Sequence, residues 1–491
     1  MWKAVLLIAI LSAATNKSVA NDCVPRSFGT NNIVCVCNST YCDSTPEPKP
    51  SSPEKGTFHW YVSSRDGLRL SLSKGQMGRC QNDGSLTLNI DTSKRYQTIL
   101  GFGGAFTDSA GMNIKNLSEA TQDQLIRAYF DPKDGSRYTL GRIPIGGTDF
   151  STRAYTLDDY DDDATLQHFA LAPEDVDAAW SAPTWMKTNH KINGFGFLKT
   201  EYYQTFANYI LKFIEEYKKN GVDIWGVSTG NEPFDAYIPF ERLNSMGWTP
   251  ELVGDWIANN LGPTLANSEY NATHIFVLDD QRLGLPWFVN EIFKNEIARN
   301  YVYGIAVHWY ADILIPPVVL DQTHNNFPDK NLLMTEACEG SFPLEKKVVL
   351  GSWERGKRYI LSITQYMNHW GVGWVDWNIA LNKDGGPTYI NNNVDSPIIV
   401  NPENDEFYKQ PMYYALKHYS RFVDRGSVRI FITDTIEIKA AAFITPSNEI
   451  VVVAYNDNNE KTNVVLNDVT SEDYICLELP PHSMNTVIYN K

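Results

Sequence analysis

The sequence predicts an α/β protein built on a (β/α)8 TIM barrel, with all-β segments at both ends of the chain. Three observations carry this. In the middle of the chain, apolar strand-like runs alternate with helical patterns, as repeated parallel units require. Toward both termini, short alternating runs separated by turn-rich pieces read as antiparallel strands. Two glutamates, Glu232 and Glu336, stand 104 residues apart at the ends of apolar runs.

Residues 1–20 read as a secretory signal. Lys3 supplies the positive start, 5–14 an apolar run, and Ser18-Val19-Ala20 a small-x-small cleavage site before Asn21. Cys23, Cys35, Cys37 and Cys42 cluster as two disulfides would in an oxidising compartment. Three pairings are open to them, and a zinc site is the weaker alternative. Cys80, Cys338 and Cys476 are left as candidate free thiols. Asn38, Asn116 and Asn271 head N-x-[ST] sequons and are candidate glycosylation sites. Residues 45–55 are a Pro/Ser-rich connector. Between 57 and 90, alternation such as Leu68-Arg69-Leu70-Ser71-Leu72 predicts antiparallel strands.

The barrel pattern follows. Tyr203, Phe206, Ala207, Ile210, Ile214 and Tyr217 recur at helical spacing, and Asn220-Gly221 stops the helix. A strand over 222–227 comes next, ending near Thr229. Further strands fall at 275–278, 303–308, 332–334 and 371–377. Strand-like runs at 430–432, 436–438, 450–455 and 486–488 close the chain. With the N-terminal runs they predict a β-sandwich formed from both termini.

Net charge is -16, and the isoelectric point is about 5.0. No basic patch stands out to meet phosphates, which argues against a nucleic-acid partner. Near pH 5 the net charge is small, which weakens repulsion from an anionic membrane. Apart from the signal, no stretch reaches the roughly 18 uncharged residues a membrane span needs. Aromatic residues make up 12% of the chain. They suit sugar rings, whose C–H faces are apolar, although most aromatics fill cores.

In such barrels the chemistry sits at the C-terminal strand ends. Those ends carry 104–108, Asp149-Phe150, Asn231-Glu232, Asp279-Asp280-Gln281, His308-Trp309-Tyr310, Glu336 and Trp377-Asn378. A unit takes about 31 residues, so the two glutamates fall three units apart, on strands four and seven. Two carboxylates facing across a pocket are the equipment of a glycoside hydrolase. The plainer reading is two surface glutamates among many, since N-E-P alone is a short signal. The strand-end placement favours the catalytic reading.

Longer motifs extend this reading. They include D-C-V-P-R-S-F-G, L-G-F-G-G-A-F-T-D-S-A-G-M-N-I, D-F-S-T-R-A-Y-T, A-P-T-W-M-K-T-N, G-I-A-V-H-W-Y, T-E-A-C-E-G-S, D-W-N-I-A-L-N and V-D-S-P-I-I-V. From about Cys23 onward the chain resembles the acid β-glucosidases (glucosylceramidases) of glycoside hydrolase family 30. The resemblance implies that Glu232 is the general acid/base and Glu336 the nucleophile. Asn231 is expected on the sugar 2-OH, with Arg142 and Tyr310 supporting the Glu336 carboxylate. Asp149, Phe150, Trp180, Gln281, Trp377 and Asn392 are expected to bind substrate. Phe240 and Trp309 would line the lipid entrance. The pairings Cys23–Cys35 and Cys37–Cys42 are implied, with Cys338 a buried thiol. Residues 21–47 plus 379–411 would form a small disulfide-pinned β module, 48–96 plus 427–491 the sandwich, and 97–378 plus 412–426 the barrel.

The expected activity is retaining hydrolysis of a glucosylated sphingolipid, glucosylceramide, to glucose and ceramide in the lysosome or after secretion. No cofactor or metal is needed. Anionic membrane lipid and a saposin-like lipid-presenting activator are the implied partners. One departure stands out. Where the family carries a helix and the third barrel strand, before W-S-A-P-T-W, residues 167–179 supply no apolar run. A whole βα unit, less its loop, is expected to be missing. Two other activities fit less well: a related β-glycanase acting on xylan or β-1,6-glucan, and a non-catalytic glycolipid-binding protein.

Overall fold

The computed structural model describes residues 21–46, 52–80, 85–171, 180–238, 242–471 and 474–491. The expected signal peptide, part of the Pro/Ser-rich connector and Phe240 lie outside these residues. The central sheet is parallel throughout, as its strand-plus-helix sequence dictates. Its strands are β1 (Gly101–Ala105), β2 (Leu140–Arg142), β3 (Gly226–Ser228), β4 (His274–Gln281), β5 (Val302–His308), β6 (Asn331–Glu336) and β7 (Gly371–Asn378). Their spatial order is β2-β1-β7-β6-β5-β4-β3.

Seven strands therefore wrap around, and β2 and β3 stand at the two open edges. From Arg142 to Thr184 the described residues contain no helix and no strand. The missing unit falls where the sequence lacks an apolar run. A barrel short of one strand cannot close with the tilt and stagger of eight.

Burial explains the strand sequences. β7 is buried along its whole length, and β4 and β5 nearly so. Strands covered by helices on one face and by the barrel interior on the other are buried on both. The strand expected over 222–227 is confined to Gly226–Ser228, because Val222 and Trp225 face the open edge and remain 41% and 38% exposed. The helix Tyr203–Lys219 buries Phe206, Ile210, Phe213, Ile214 and Tyr217 on one stripe. At β1, a Cβ on Gly103 would sit 1.8 Å from the Leu140 carbonyl oxygen, so only glycine lets these strands approach.

Two further sheets flank the barrel. A nine-stranded sheet runs from residues of 57–98 and 428–490. It folds over a core of its own, including Leu88, Ile430, Ile450, Val452, Ile475 and Leu477. The expected alternation at 68–72 is partly a turn. Leu70 has φ +47°, and the strand is Ser71–Gln76. A five-stranded sheet joins Pro25–Ser27 and Ile33–Asn38 to segments of 381–409. Cys23–Cys35 and Cys37–Cys42 are both bonded here. Cys80 and Cys476 correct the sequence reading. They form a third disulfide across 396 residues, because the backbone bridge between Gly78 and Tyr474 brings these distant segments together. Cys338 is the free thiol among the described cysteines, and it is buried. Asn38, Asn116 and Asn271 all reach the surface. No helix of the described residues is long and apolar enough to cross a membrane.

Candidate active site

Backbone irregularities at the strand ends build the site. Register shifts skip Asp279 between β4 and β5, Thr335 between β5 and β6, and Trp377 between β7 and β1. A bulge adds one residue to a strand and re-aims its side chain. Three such bulges turn Asp279, Thr335 and Trp377 at the mouth of the sheet. Glu232 is placed by strain of another kind. Its φ and ψ are +41° and +61°, a left-handed conformation that costs a non-glycine residue energy. Its amide donates to the Asp279 carbonyl at 2.9 Å, and Pro233 opens the short helix Pro233–Tyr237 that follows. The proline's fixed φ suits a helix start.

The two glutamates converge. A carboxylate oxygen of Glu232, one of Glu336 and a ring nitrogen of His308 all lie within 4.8 Å of one another. Tyr310 donates its hydroxyl hydrogen to Glu336 Oε1 at 2.9 Å, and Arg142 Nη1 donates to Glu336 Oε2. Arg142 Nη2 also reaches Asn231 Oδ1 at 2.6 Å and Asp279 Oδ2 at 3.2 Å. Burial opposes the charge on Arg142, but Asp279 and Glu336 beside it raise its pKa above the ordinary value. Asn231 Oδ1 is occupied by Arg142, which leaves its amide nitrogen to donate to a ligand.

Glu232 is set apart electrostatically. Burial, then the neighbouring charges of Glu336 and Asp280, push its pKa well above the ordinary value. Asp279 goes the other way. Burial works against its charge, but Arg142 and His308 hold it below the usual carboxylate range. His308 bridges the two, with Nδ1 2.7 Å from Glu232 Oε1 and Nε2 3.1 Å from Asp279 Oδ1. His308 therefore couples the Glu232 carboxyl to the Asp279 carboxylate through its two ring nitrogens. One site thus holds two glutamates with different partners, the arrangement that divides acid from nucleophile.

Around the pair, Trp377 is sandwiched. Trp180 stacks on it at 5.1 Å, Phe150 meets it edge-on at 6.3 Å, and the Arg142 guanidinium lies 5.1 Å from its centroid. Asn392 donates to Asp149 Oδ2 at 2.9 Å. Asp149 Oδ1 and Trp180 Nε1 are buried without a hydrogen-bond partner among the described residues. A buried acceptor and a buried donor left open beside an aromatic floor fit the hydroxyls of a sugar.

Two expected substrate contacts are placed otherwise. Gln281 donates to Glu232 Oε1 at 2.7 Å and accepts from the Ala311 amide, so both ends of its side chain are engaged within the protein. Trp309 meets Tyr359 and Trp374 edge-on. Trp374 bonds Ser362 on the helix Trp353–Asn368, which places the Trp309 indole in the strand–helix layer rather than at the entrance. Sequence reasoning assigned no role to Asp279, His308 or Thr335. Their signal was available, since Asp279 and His308 fall at strand ends.

Comparison with known proteins agrees with the geometry. The glycosyl hydrolase family 30 TIM-barrel domain matches residues 99–179 and 176–423, and that family's beta sandwich domain matches residues 426–487. The lysosomal acid glucosylceramidase of Mus musculus is 39% identical over 502 residues, covering 96% of each chain. Putative glucosylceramidase 3 of Caenorhabditis elegans is 38% identical over 523 residues, covering 100% of this chain and 99% of that one. The crystal structure of SrfJ from Salmonella typhimurium superposes with a TM-score of 0.80 at 26% identity, over 89% of this chain and all of that one.

Proposed function

The chain belongs to glycosyl hydrolase family 30, and from that premise we propose that it hydrolyses glucosylceramide to glucose and ceramide with retention of configuration. The observation that carries this is the closeness of the two carboxylates. Oxygens of Glu232 and Glu336 lie within 4.8 Å, short of the gap of about 6.5–9.5 Å that an inverting enzyme needs for its water. Glu336 attacks the anomeric carbon while Glu232 gives its proton to the departing ceramide oxygen. Glu232, now ionised, takes a proton from water, which releases glucose from Glu336. Arg142 and Tyr310 orient the nucleophile through both of its oxygens.

The setting is an acidic compartment of the secretory route, the lysosome, at the surface of a membrane carrying anionic lipid. A lipid-presenting activator of the saposin kind completes the reading. Support for contact with lipid comes from four successive loops at the barrel mouth. They expose Tyr237 and Ile238, Leu283 and Trp287, Ile313 and Leu314, and Phe342 and Leu344. A substrate with two apolar tails has to leave a bilayer, and an apolar rim shortens its passage through water.

The test is hydrolysis of glucosylceramide in mixed micelles at about pH 5, beside xylan and β-1,6-glucan, with Glu336→Gln as control. Turnover of the glucolipid that vanishes in the control is expected. Turnover of a polysaccharide alone would assign the site to another β-glycan. Folded protein that binds glucolipid without turnover would make it a binding protein.

A further inference from the structure

The wall behind the nucleophile holds a thiol to which the two-step reaction gives no part. Cys338 lies two residues beyond Glu336 and is buried, while the other six cysteines of the chain are paired in disulfides. Its backbone is tied on both sides. The Trp377 amide donates to the Ala337 carbonyl at 2.8 Å, and the Asp395 amide donates to the Glu339 carbonyl at 2.8 Å. The side chain belongs to the same apolar cluster as Phe150, Trp180 and Trp377, the aromatic floor of the site. There its Sγ lies 3.3 Å from the Tyr310 hydroxyl oxygen. Tyr310 in turn reaches from the end of β5 to Glu336 Oε1 at the end of β6, at 2.9 Å.

We propose that Cys338 is a positioning residue for the nucleophile: its S–H donates to the Tyr310 oxygen, which commits the Tyr310 hydrogen to Glu336. The inference rests on the reading of Glu336 as the ionised nucleophile. The direction of each hydrogen then follows from the atoms. A carboxylate only accepts, a tyrosine hydroxyl has one hydrogen to give, and a thiol is a weak donor and a weak acceptor. Tyr310 gives its hydrogen to Glu336, because a bond to a charged oxygen is roughly twice as strong as one to a neutral atom. Its oxygen faces the sulfur with lone pairs, so the thiol donates. Both groups keep their hydrogens. Burial, joined by the nearby Glu336 charge, pushes the Cys338 thiol and the Tyr310 hydroxyl well above their ordinary values. The thiol does two things for the nucleophile. It removes the alternative in which Tyr310 turns its hydrogen toward the sulfur and leaves Oε1 without that donor. It also polarises the Tyr310 O–H, since hydrogen bonds in a chain strengthen one another. With Arg142 on Oε2, the Glu336 carboxylate is then held at both oxygens. A thiol suits this wall because it packs as a small apolar group and still carries a hydrogen to donate.

Two measurements test this. The first is infrared absorption of the S–H stretch in the folded, secreted chain. Cys338 is the one thiol left outside the disulfides, and its band lies clear of other protein absorption. The band should sit at the lowered frequency of a donating thiol. It should move upward in Tyr310→Phe, which keeps the ring and removes the oxygen. The frequency of a free thiol in the unsubstituted chain, or an unmoved band in Tyr310→Phe, overturns the proposal. The second is a double-mutant cycle on hydrolysis of a soluble fluorogenic β-glucoside. Cys338→Ala should lower kcat about twofold to fivefold, the weight of one weak S–H···O bond, with KM nearly unchanged. In the Tyr310→Phe background the same substitution should have no further effect, because the atom that links the thiol to Glu336 is gone. Equal losses in both backgrounds would make the thiol a packing residue and overturn the proposal. Where Cys338→Ala does not fold, the infrared comparison decides by itself. A wild-type chain without turnover whose S–H band moves as expected would sink the enzymatic reading and leave the thiol's bond to Tyr310 standing.

Discussion

Replacing Gln281 by methionine should move the alkaline limb of the activity profile upward. Burial and two neighbouring carboxylates already push the Glu232 pKa well above its ordinary value. Glu232 therefore enters the reaction protonated, and activity falls as pH rises through its ionisation. Gln281 Nε2 donates to Glu232 Oε1 at 2.7 Å. A donor at that distance favours the carboxylate over the acid. A hydrogen bond to a charged group contributes about 1.5–3 kcal/mol and one to a neutral group about 0.5–1.5 kcal/mol. The difference, about 1–1.5 kcal/mol, corresponds to about one pH unit at 1.36 kcal/mol per unit. Methionine keeps the length of the side chain and removes the donor, so the acid form gains and the limb of kcat/KM rises by about one unit. The assay is initial-rate hydrolysis of a fluorogenic β-glucoside from about pH 4 to about pH 8. Melting temperature is recorded alongside, because the Ala311 amide loses its acceptor. A limb that stays in place or moves down in a folded variant would refute the assignment of that limb to Glu232 under Gln281.

Asp149→Ala should lower kcat/KM by about twofold to tenfold, the weight of one neutral hydrogen bond to a substrate hydroxyl, because burial pushes the Asp149 carboxyl well above the ordinary carboxylate range. A rise in KM without that loss of kcat/KM would contradict the contact. Asp395→Ala removes a fully buried carboxylate that accepts from Arg355, Gln410 and the Val349 and Ser396 amides. It should cost about 1–3 kcal/mol in urea unfolding, because the Val349 and Ser396 amides lose their buried acceptor, while Arg355 keeps Glu345 at 3.4 Å. Ile313→Asp combined with Leu314→Asp should reduce hydrolysis of vesicle-embedded glucosylceramide while leaving a soluble β-glucoside untouched. Equal loss on both substrates would show that these exposed side chains serve the fold instead.

The catalytic pair was legible because a barrel turns sequence spacing into angular position. Glu232 and Glu336 each follow an apolar run, and three βα units separate them. Arg142, Asp149, Trp180, Tyr310 and Trp377 came from longer motifs and meet around that pair. The missing barrel unit was legible too, as an absence of apolar residues where a strand is required. Other features depend on register. Nothing local in β4 or β7 says that Asp279 and Trp377 sit on bulges, since a bulge exists only relative to the neighbouring strand. His308 could be placed at a strand end, but its link between Glu232 and Asp279 depends on the left-handed turn at Glu232. The Cys80–Cys476 bond joins segments at opposite ends of the chain. Gln281 and Trp309 stand beside polar strand-end residues, and only their side-chain directions separate a support for Glu232 from a contact with substrate.

The most direct test of the account is to trap its intermediate. A 2-fluoro β-glucoside with a good leaving group slows release of the sugar from a glycosylated carboxylate more than it slows attack. After incubation near pH 5, digestion and mass spectrometry should find one glucosyl equivalent on the peptide holding Glu336, and none in Glu336→Gln. A label on Glu232, or hydrolysis with inversion and no label, would contradict the assignment of nucleophile and acid.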